Sequence, residues 1–585
     1  MSAGVIEAFK GALALHQSGK TGEARSAYRE LLDQAPSHAE ALNNLAALEI
    51  NAGRSAEALE LLFRAVQARP RFGECYHNIG QAMMNLGRPG EAVGYLQNAV
   101  RFYNKAIVHT DLARAWANIG QAAEAVAAAR KALSLDPEDS RALTVLAVQS
   151  FGLQDDQTAG ETFETLARDH GGGSEAWFNA MKCWRRARDW PRAEAALEAA
   201  AAAGAESGLL LRNRATFAHD HGRLDEALDW AERAVQLDSD NPGSHEVRGL
   251  VLHDLGRFDE AIREYDTVIA RWPQRRRAEV FKALSLLLQG RFQEGFETFE
   301  ARWFADFPPP MFQRHGYPHI PHWQGEPLKG KRLFLIAEQG FGDAIQFVRY
   351  AKDIRESGAS ITLYCKARLM PMFGDLGWFD RFIETGSDEI PEVDFQAPLL
   401  SLPRILGRYP PDVPLAEGYI PAPGTDWDPG PGPTVGLVWR GNPQNAKDWK
   451  RSLRLAPLEP LLEVPGINWV SLQLEPENRE IAGTAWEGRL ADVSAHMQGW
   501  RETAAVIGKL DLVISVDTAQ VHLAGALGKP AWLLLSEVPD WRWGLEGDTT
   551  PWYESLRLYR AAGRGVWQPV IDRMADDLRA WAAGR

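Results

Sequence analysis

Three cysteines in 585 residues, Cys75, Cys183 and Cys365, are too few and too far apart for a disulfide framework or a thiolate metal site, and the sparse, odd set fits a reducing compartment. No run of about 18 or more apolar residues occurs, so no helical membrane span is expected. Positive charge is the minority: 64 Lys and Arg against 78 Asp and Glu give a net charge of −14, the wrong sign for a protein that grips nucleic-acid phosphates. The first twenty residues, MSAGVIEAFKGALALHQSGK, carry charges inside their apolar stretch and lack a small-residue cleavage site. They read as a helix rather than a signal peptide, so a cytoplasmic setting is expected. The remaining composition, 45% hydrophobic and 24% charged, is that of a globular chain. At about 100–200 residues per domain its length calls for three or more structural units. The 21 tryptophans read mainly as large core residues.

A regular spacing runs through the first half. Gly19, Gly53, Gly87 and Gly120 are followed by Gly222, Gly256 and Gly290, in steps of 34, 34, 33, 102, 34 and 34 residues. The long step is three times 34, and its two missing marks fall on Gln154 and Arg188. Five residues past each mark stands a small residue: Ala24, Ala58, Ala92, Ala125, Ala159, Ala193, Ala227, Ala261 and Gly295. Seventeen past it, a helix-stopping proline recurs at Pro36, Pro70, Pro137 and Pro273. Glycine suits a turn that needs positive φ, and a small residue lets paired helices approach closely.

This pattern resembles the tetratricopeptide repeat and implies about nine helix–turn–helix units over residues 4–305. Such units cannot bury their apolar faces singly, so they stack, and a protein-binding groove is the expected use.

Residues 306–330, rich in Pro, His and aromatics, break the period and read as a connector. His315, His319 and His322 are irregularly spaced without a carboxylate or thiol beside them, which favours a packed linker over a metal site. Beyond them the pattern alternates between short apolar runs and helical stretches. RLFLIA, the loop EQGFGD, the helix AIQFVRYAKDIRESG beginning at Ala344, and the strand ASITLYC make a βαβ unit in a first lobe, residues 331–420. The Pro- and Gly-rich stretch ending at 421–434 reads as a hinge. A second lobe, residues 435–585, carries the strands VGLVW, INWVSLQLE, DLVISV and AWLLL, the helix RETAAVIGKL and a closing amphipathic helix. Two such lobes place ligands at the carboxyl ends of their strands. Asp517 and Thr518 stand where DLVISV meets a helix N-terminus, a natural anion site, and His522 lies about one turn into that helix. The fold class expected is thus an all-α repeat superhelix followed by an α/β domain of two Rossmann-like lobes.

Four segments, EQGFGDAIQFVRYA (338–351), VGLVWRGNPQNAKDWKRSLRL (435–455), VDTAQVHLAGALGKPAW (516–532) and DWRWGLEGDTTPWYESLRLYR (540–560), make this half similar to the heptosyltransferase-like GT-B glycosyltransferase domains that bacteria attach to tetratricopeptide arrays. The whole architecture also resembles flagellin-modifying glycosyltransferases, and more distantly the eukaryotic O-linked N-acetylglucosamine transferases. The resemblance implies inverting, metal-independent transfer from a nucleotide-sugar, with no cofactor, to Ser or Thr of a protein acceptor such as flagellin. The sugar it implies is a nonulosonic acid such as pseudaminic acid. By position it implies Asp343 as general base, the alternative being an N-cap for the helix at Ala344. Arg451 with Lys450 would neutralise the departing phosphate. Gly342, Asn442, Asp517, Thr518, Ala519 and His522 would meet the donor, with Ala519 replacing the family's glycine, Asn442 alternatively only making the turn after its strand, and His522 alternatively a core histidine. Gln339, Trp541, Arg542 and Trp543 are candidate pocket residues, or core. Two further readings stand beside protein O-glycosylation: a lipopolysaccharide or capsule transferase that docks through its repeats, and a non-catalytic repeat scaffold.

Overall fold

The computed structural model describes residues 3–204, 206–303, 319–387, 389, 391–442, 448–474 and 480–585. His315 and most of the expected connector lie outside them. Eighteen helices run from Ala3–Gln17 to Phe292–Phe299 among the described residues, in nine consecutive pairs. The 34-residue spacing is a backbone rule. All seven marking glycines have positive φ, and so do the two substitutes, Gln154 at 63° and Arg188 at 60°. Each turn closes as at Gly53, where Arg54 N–H donates to Glu49 O at 2.8 Å and Gly53 N–H to Ile50 O at 2.9 Å. The alanine five residues on is fully buried in all eight repeats that carry it. In the ninth, a Cβ on Gly295 would stand 2.7 Å from the Leu287 side chain. Close approach of paired helices therefore selects the small residue.

Gln154 is exposed and adopts the left-handed region at a cost of about 1–2 kcal/mol for a residue with a Cβ. Gln154→Gly is expected to stabilise the chain by roughly 0.5–1 kcal/mol, after the greater freedom of an unfolded glycine is subtracted. The urea midpoint of residues 3–204, followed by far-ultraviolet circular dichroism, reads it. An unchanged or lower midpoint would contradict the account.

The chain forms two compact units, residues 1–206 and 207–585. The division falls inside the repeat array rather than near residue 305, because the last three helix pairs pack on the α/β region. Phe296 meets Trp541 edge-to-face at 5.5 Å, and Arg302 binds Glu338 at 2.8 Å.

The α/β region holds two all-parallel sheets. In the first, β1 (Arg332–Ile336), β2 (Ser360–Cys365), β3 (Arg381–Glu384) and β4 (Phe395–Pro398) are ordered β3-β2-β1-β4. In the second, β5 (Thr434–Val438), β6 (Asn468–Ser471), β7 (Leu490–Asp492), β8 (Leu512–Val516), β9 (Ala531–Leu535) and β10 (Leu556–Arg560) are ordered β10-β9-β8-β5-β6-β7. Every residue of β5, β8 and β9 is buried, as expected of strands covered on both faces. Strand order reverses between β1 and β4 and again between β5 and β8, so each sheet has a switch point where its loops diverge and leave a crevice. No helix among the described residues is long and apolar enough to cross a membrane.

Candidate functional site

A cavity of about 810 Å³ opens at these carboxyl ends. Gln339–Asp343 after β1 and Lys366 and Arg368 after β2 form one wall. The other wall comes from Arg440–Asn442 and Arg451 after β5, Gln473 after β6, Trp500 and Thr503 beyond β7, Asp517–His522 after β8, and Asp540 and Arg542 after β9. Five cationic side chains, Lys366, Arg368, Arg440, Arg451 and Arg542, line it among the described residues against three carboxylates, Asp343, Asp517 and Asp540. An acidic chain thus gathers a local excess of positive charge at one crevice.

Arg451 is held in place by a chain of bonds across the β5–β8 switch point. Gly441 N–H donates to Ser452 Oγ at 2.8 Å, Ser452 Oγ to Asp448 Oδ2 at 2.7 Å, Arg451 Nε to Asp448 Oδ1 at 3.2 Å, and Arg451 Nη1 to the Asp517 carbonyl at 2.8 Å. A Cβ at Gly441 would lie 2.5 Å from Asp448 Oδ1 and 2.6 Å from Arg451 Nε, so only glycine lets the guanidinium lie against this loop.

Across the cavity, the helix expected from Ala344 begins at Phe341, with Gly340 as its N-cap. Asp343 is therefore inside the first turn and not the cap residue. Its Oδ2 accepts from Gly340 N–H at 2.8 Å, and its Oδ1 accepts from the Arg542 guanidinium. Both oxygens of the expected base are engaged. Gln339 holds the left-handed region with φ 66°, and its carbonyl accepts from Lys366 Nζ at 3.1 Å. Strain of this kind persists where the surroundings enforce it.

The Ala519–Ala526 helix presents its N-terminus to the cavity, and Thr518 is its extended N-cap. The Thr518 hydroxyl lies 3.2 Å from Ser515 Oγ rather than capping the helix. His522, one turn in, is buried, stacks on Trp543 at 5.1 Å, and has Nδ1 3.1 Å from the Tyr553 hydroxyl. Burial and then the Arg542 charge push its pKa down to about 3. It is a neutral imidazole at ordinary pH and offers no positive charge. Gly342 packs on it: a Cβ there would stand 2.9 Å from His522 Cδ2. The role of Gly342 in this structure is to let the two lobes touch.

Three expected site residues face elsewhere. Lys450 turns away from the cavity and pairs with buried Asp254 of the repeats, which also binds His219 Nε2 at 2.6 Å. Trp541 packs with Phe296, Phe347 and Trp552, and Trp543 lies under His522, so both tryptophans are core. The residue between them is the one that matters. Arg542, nearly buried, reaches Asp343, Gln346 Oε1 at 2.6 Å and Asp540 Oδ1 at 2.7 Å, tying the first lobe to the second. Lys366, Arg368, Arg440 and Asp540 were not singled out by the sequence. Their common signal is position just past the end of a strand.

Models of the tetratricopeptide repeat match residues 15–72, 73–107, 108–139, 185–242 and 247–304. The helical array is made of tetratricopeptide repeats. Protein FlbA of Caulobacter vibrioides is 32% identical over 340 residues, covering 52% of this chain and 55% of FlbA, so the chain spans about half the length of that relative. Among solved structures, a crystal structure of MamA is 20% identical, covering 30% of this chain and 96% of that one with a TM-score of 0.25. The structure of Naa15/Naa10 bound to HypK-THB is 17% identical, covering 52% and 50% with a TM-score of 0.33.

Proposed function

We propose that this protein is a GT-B glycosyltransferase that moves a sugar from a nucleotide-sugar to Ser or Thr of a protein recruited by the tetratricopeptide repeats, with flagellin as the acceptor. The observation that carries this reading is the cavity formed where the switch points of two parallel sheets meet, lined by Arg451 and Arg542 and by the N-terminus of the Ala519–Ala526 helix. A nucleotide-sugar has an anionic phosphate flanked by two polar rings. Its departure needs fixed positive charge at the leaving oxygen, and guanidinium groups already held by hydrogen bonds supply that charge without reorganising. Arg451 takes this role, the helix N-terminus receives the phosphate oxygens, and Asn442 and Gln473 make polar contacts to the donor. The repeats supply what a sugar-transfer cleft lacks, a surface for a polypeptide.

Intact mass of flagellin from the source organism tests the reading, comparing wild type with a strain deleted for this protein. Wild-type flagellin is expected to be heavier than its bare sequence by multiples of one sugar mass, and the increment is expected to vanish on deletion. Equal masses in the two strains would refute flagellin glycosylation and move surface polysaccharide to the front, where altered lipopolysaccharide mobility on deletion is the matching result.

A further inference from the structure

A second, smaller cavity of about 140 Å³ lies between the repeats and the second lobe. His253 and Leu284 come to it from the repeats, and Val538 and Pro539 from the segment after β9. Arg451, Asp517 and Asp540 line both this cavity and the large one. Asp517 therefore stands where a chamber open to the repeats meets the chamber at the switch points. The acidic candidates differ in what their oxygens do. Asp343 accepts from Gly340 N–H and from Arg542, and Asp540 Oδ1 accepts from Arg542 Nη1 at 2.7 Å and from the Arg542 N–H at 3.1 Å. Arg451 spends its Nη1 on the carbonyl of Asp517, not on the carboxylate.

We propose that the acceptor side chain enters through the smaller cavity and that the Asp517 carboxylate takes the proton of its hydroxyl. This rests on the glycosyltransferase reading above. In the step, the hydroxyl oxygen of Ser or Thr attacks the anomeric carbon of the nucleotide-sugar. The new C–O bond forms as the bond from that carbon to the phosphate oxygen breaks. The electron pair leaves on the phosphate beside Arg451, and the hydroxyl proton passes to Asp517. The charged or titratable groups facing Asp517 are Asp540 and Arg542 after β9, Arg451 after β5, neutral His522 on the helix that follows Asp517, and Lys450 and His253 across the smaller cavity. Burial, then the charge of Asp540, raises the Asp517 carboxyl above the ordinary carboxylate range, against the pull of Arg451, the Trp543 indole N–H and Arg542. A carboxylate so placed binds a proton more readily than a solvated one, which suits a general base near neutral pH.

The test uses strains of the source organism carrying Asp517→Asn, Asp517→Glu or Leu284→Trp, alongside wild type and the deletion, with intact flagellin mass as the readout. Asp517→Asn is expected to slow addition of the sugar increment by about 10²-fold or more, and Asp517→Glu to restore part of it. Leu284→Trp, which fills the smaller cavity from the repeat side, is expected to remove the increment with residues of the large cavity untouched. Each purified variant is melted by circular dichroism, and if the Asn variant does not fold, the Leu284→Trp result decides. A wild-type increment in Asp517→Asn or in Leu284→Trp, with the deletion strain lacking it, overturns the proposal and leaves the glycosyltransferase reading standing. An unchanged increment in the deletion strain overturns the reading of flagellin as acceptor and the proposal together.

Discussion

Arg302→Met is expected to destabilise the 207–585 unit by about 3–5 kcal/mol at pH 8, the cost of leaving a buried charge without its partner. Arg302 is 4% exposed and Glu338 is fully buried. Arg302 Nη2 and Nε donate to Glu338 Oε1 at 2.8 and 3.1 Å, with further bonds from the same guanidinium to Glu300 and Ser401. Burial pushes the Glu338 carboxyl up to about 7, opposed by Arg302 and aided by Glu300 and Asp343. A carboxyl raised in the folded state binds a proton that the unfolded chain releases. Its contribution to stability is full below the ordinary carboxylate range and is lost as pH rises through about 7. Removing Arg302 removes the main opposing pull, so the deficit of the variant is expected to grow from pH 5 to pH 8. Glu338→Gln added to Arg302→Met is expected to recover much of the loss at pH 8 and little at pH 5. Urea unfolding followed by tryptophan fluorescence reads this unit, since 17 of the 21 tryptophans lie in residues 207–585. A deficit that is flat with pH, or no recovery in the double variant, would show that Glu338 is not the charge being compensated.

The repeats were legible because one backbone requirement recurs. A left-handed turn every 34 residues selects glycine, and the spacing located Gln154 and Arg188 even where glycine is missing. Strands β1, β5, β8 and β9 were legible because burial on both faces makes them unbroken apolar runs. Strands β3, β7 and β10, with sequences RFIE, LAD and LRLYR, were missed because they are short or carry charges on an exposed face. The candidate site was legible where it follows directly from a strand end, as at Asp517 and Asn442, and illegible where it depends on contacts across the chain. Arg542 meets Asp343 from 199 residues away. Lys450 and Arg451 are neighbours in one loop, yet Lys450 pairs with Asp254, 196 residues before it, while Arg451 turns into the cavity. Spacing cannot separate two adjacent cations that face opposite ways. It also placed the helix start at Ala344, since GFGD looks like a loop, whereas Gly340 caps the helix and Asp343 closes its first turn.

On the glycosyltransferase proposal, Arg451→Lys is expected to slow sugar transfer by about 10²–10³-fold, the usual effect of removing one preorganised donor from a developing negative charge. The substitution keeps the charge and removes the geometry. The guanidinium holds Asp448 through Nε and the Asp517 carbonyl through Nη1 at the same time, leaving the rest of its face to the cavity. An ammonium on a flexible stem can satisfy one of these partners but does not hold the same fork. Lysine keeps a cation beside Asp448, and Asp448 keeps its bond from Ser452, so no buried charge is left unpaired and the change in unfolding free energy is expected to stay within about 1–2 kcal/mol, the cost of the lost guanidinium hydrogen bonds. The time course of the flagellin mass increment, in strains expressing wild-type or Arg451→Lys protein at equal levels, measures the rate. A variant within about tenfold of wild type would mean that charge alone suffices at this position, and that the chain from Gly441 through Ser452 and Asp448 serves only to close the loop after β5. A large loss with unchanged stability would mean that the loop exists to aim one cation at the point where the two sheets' switch points meet.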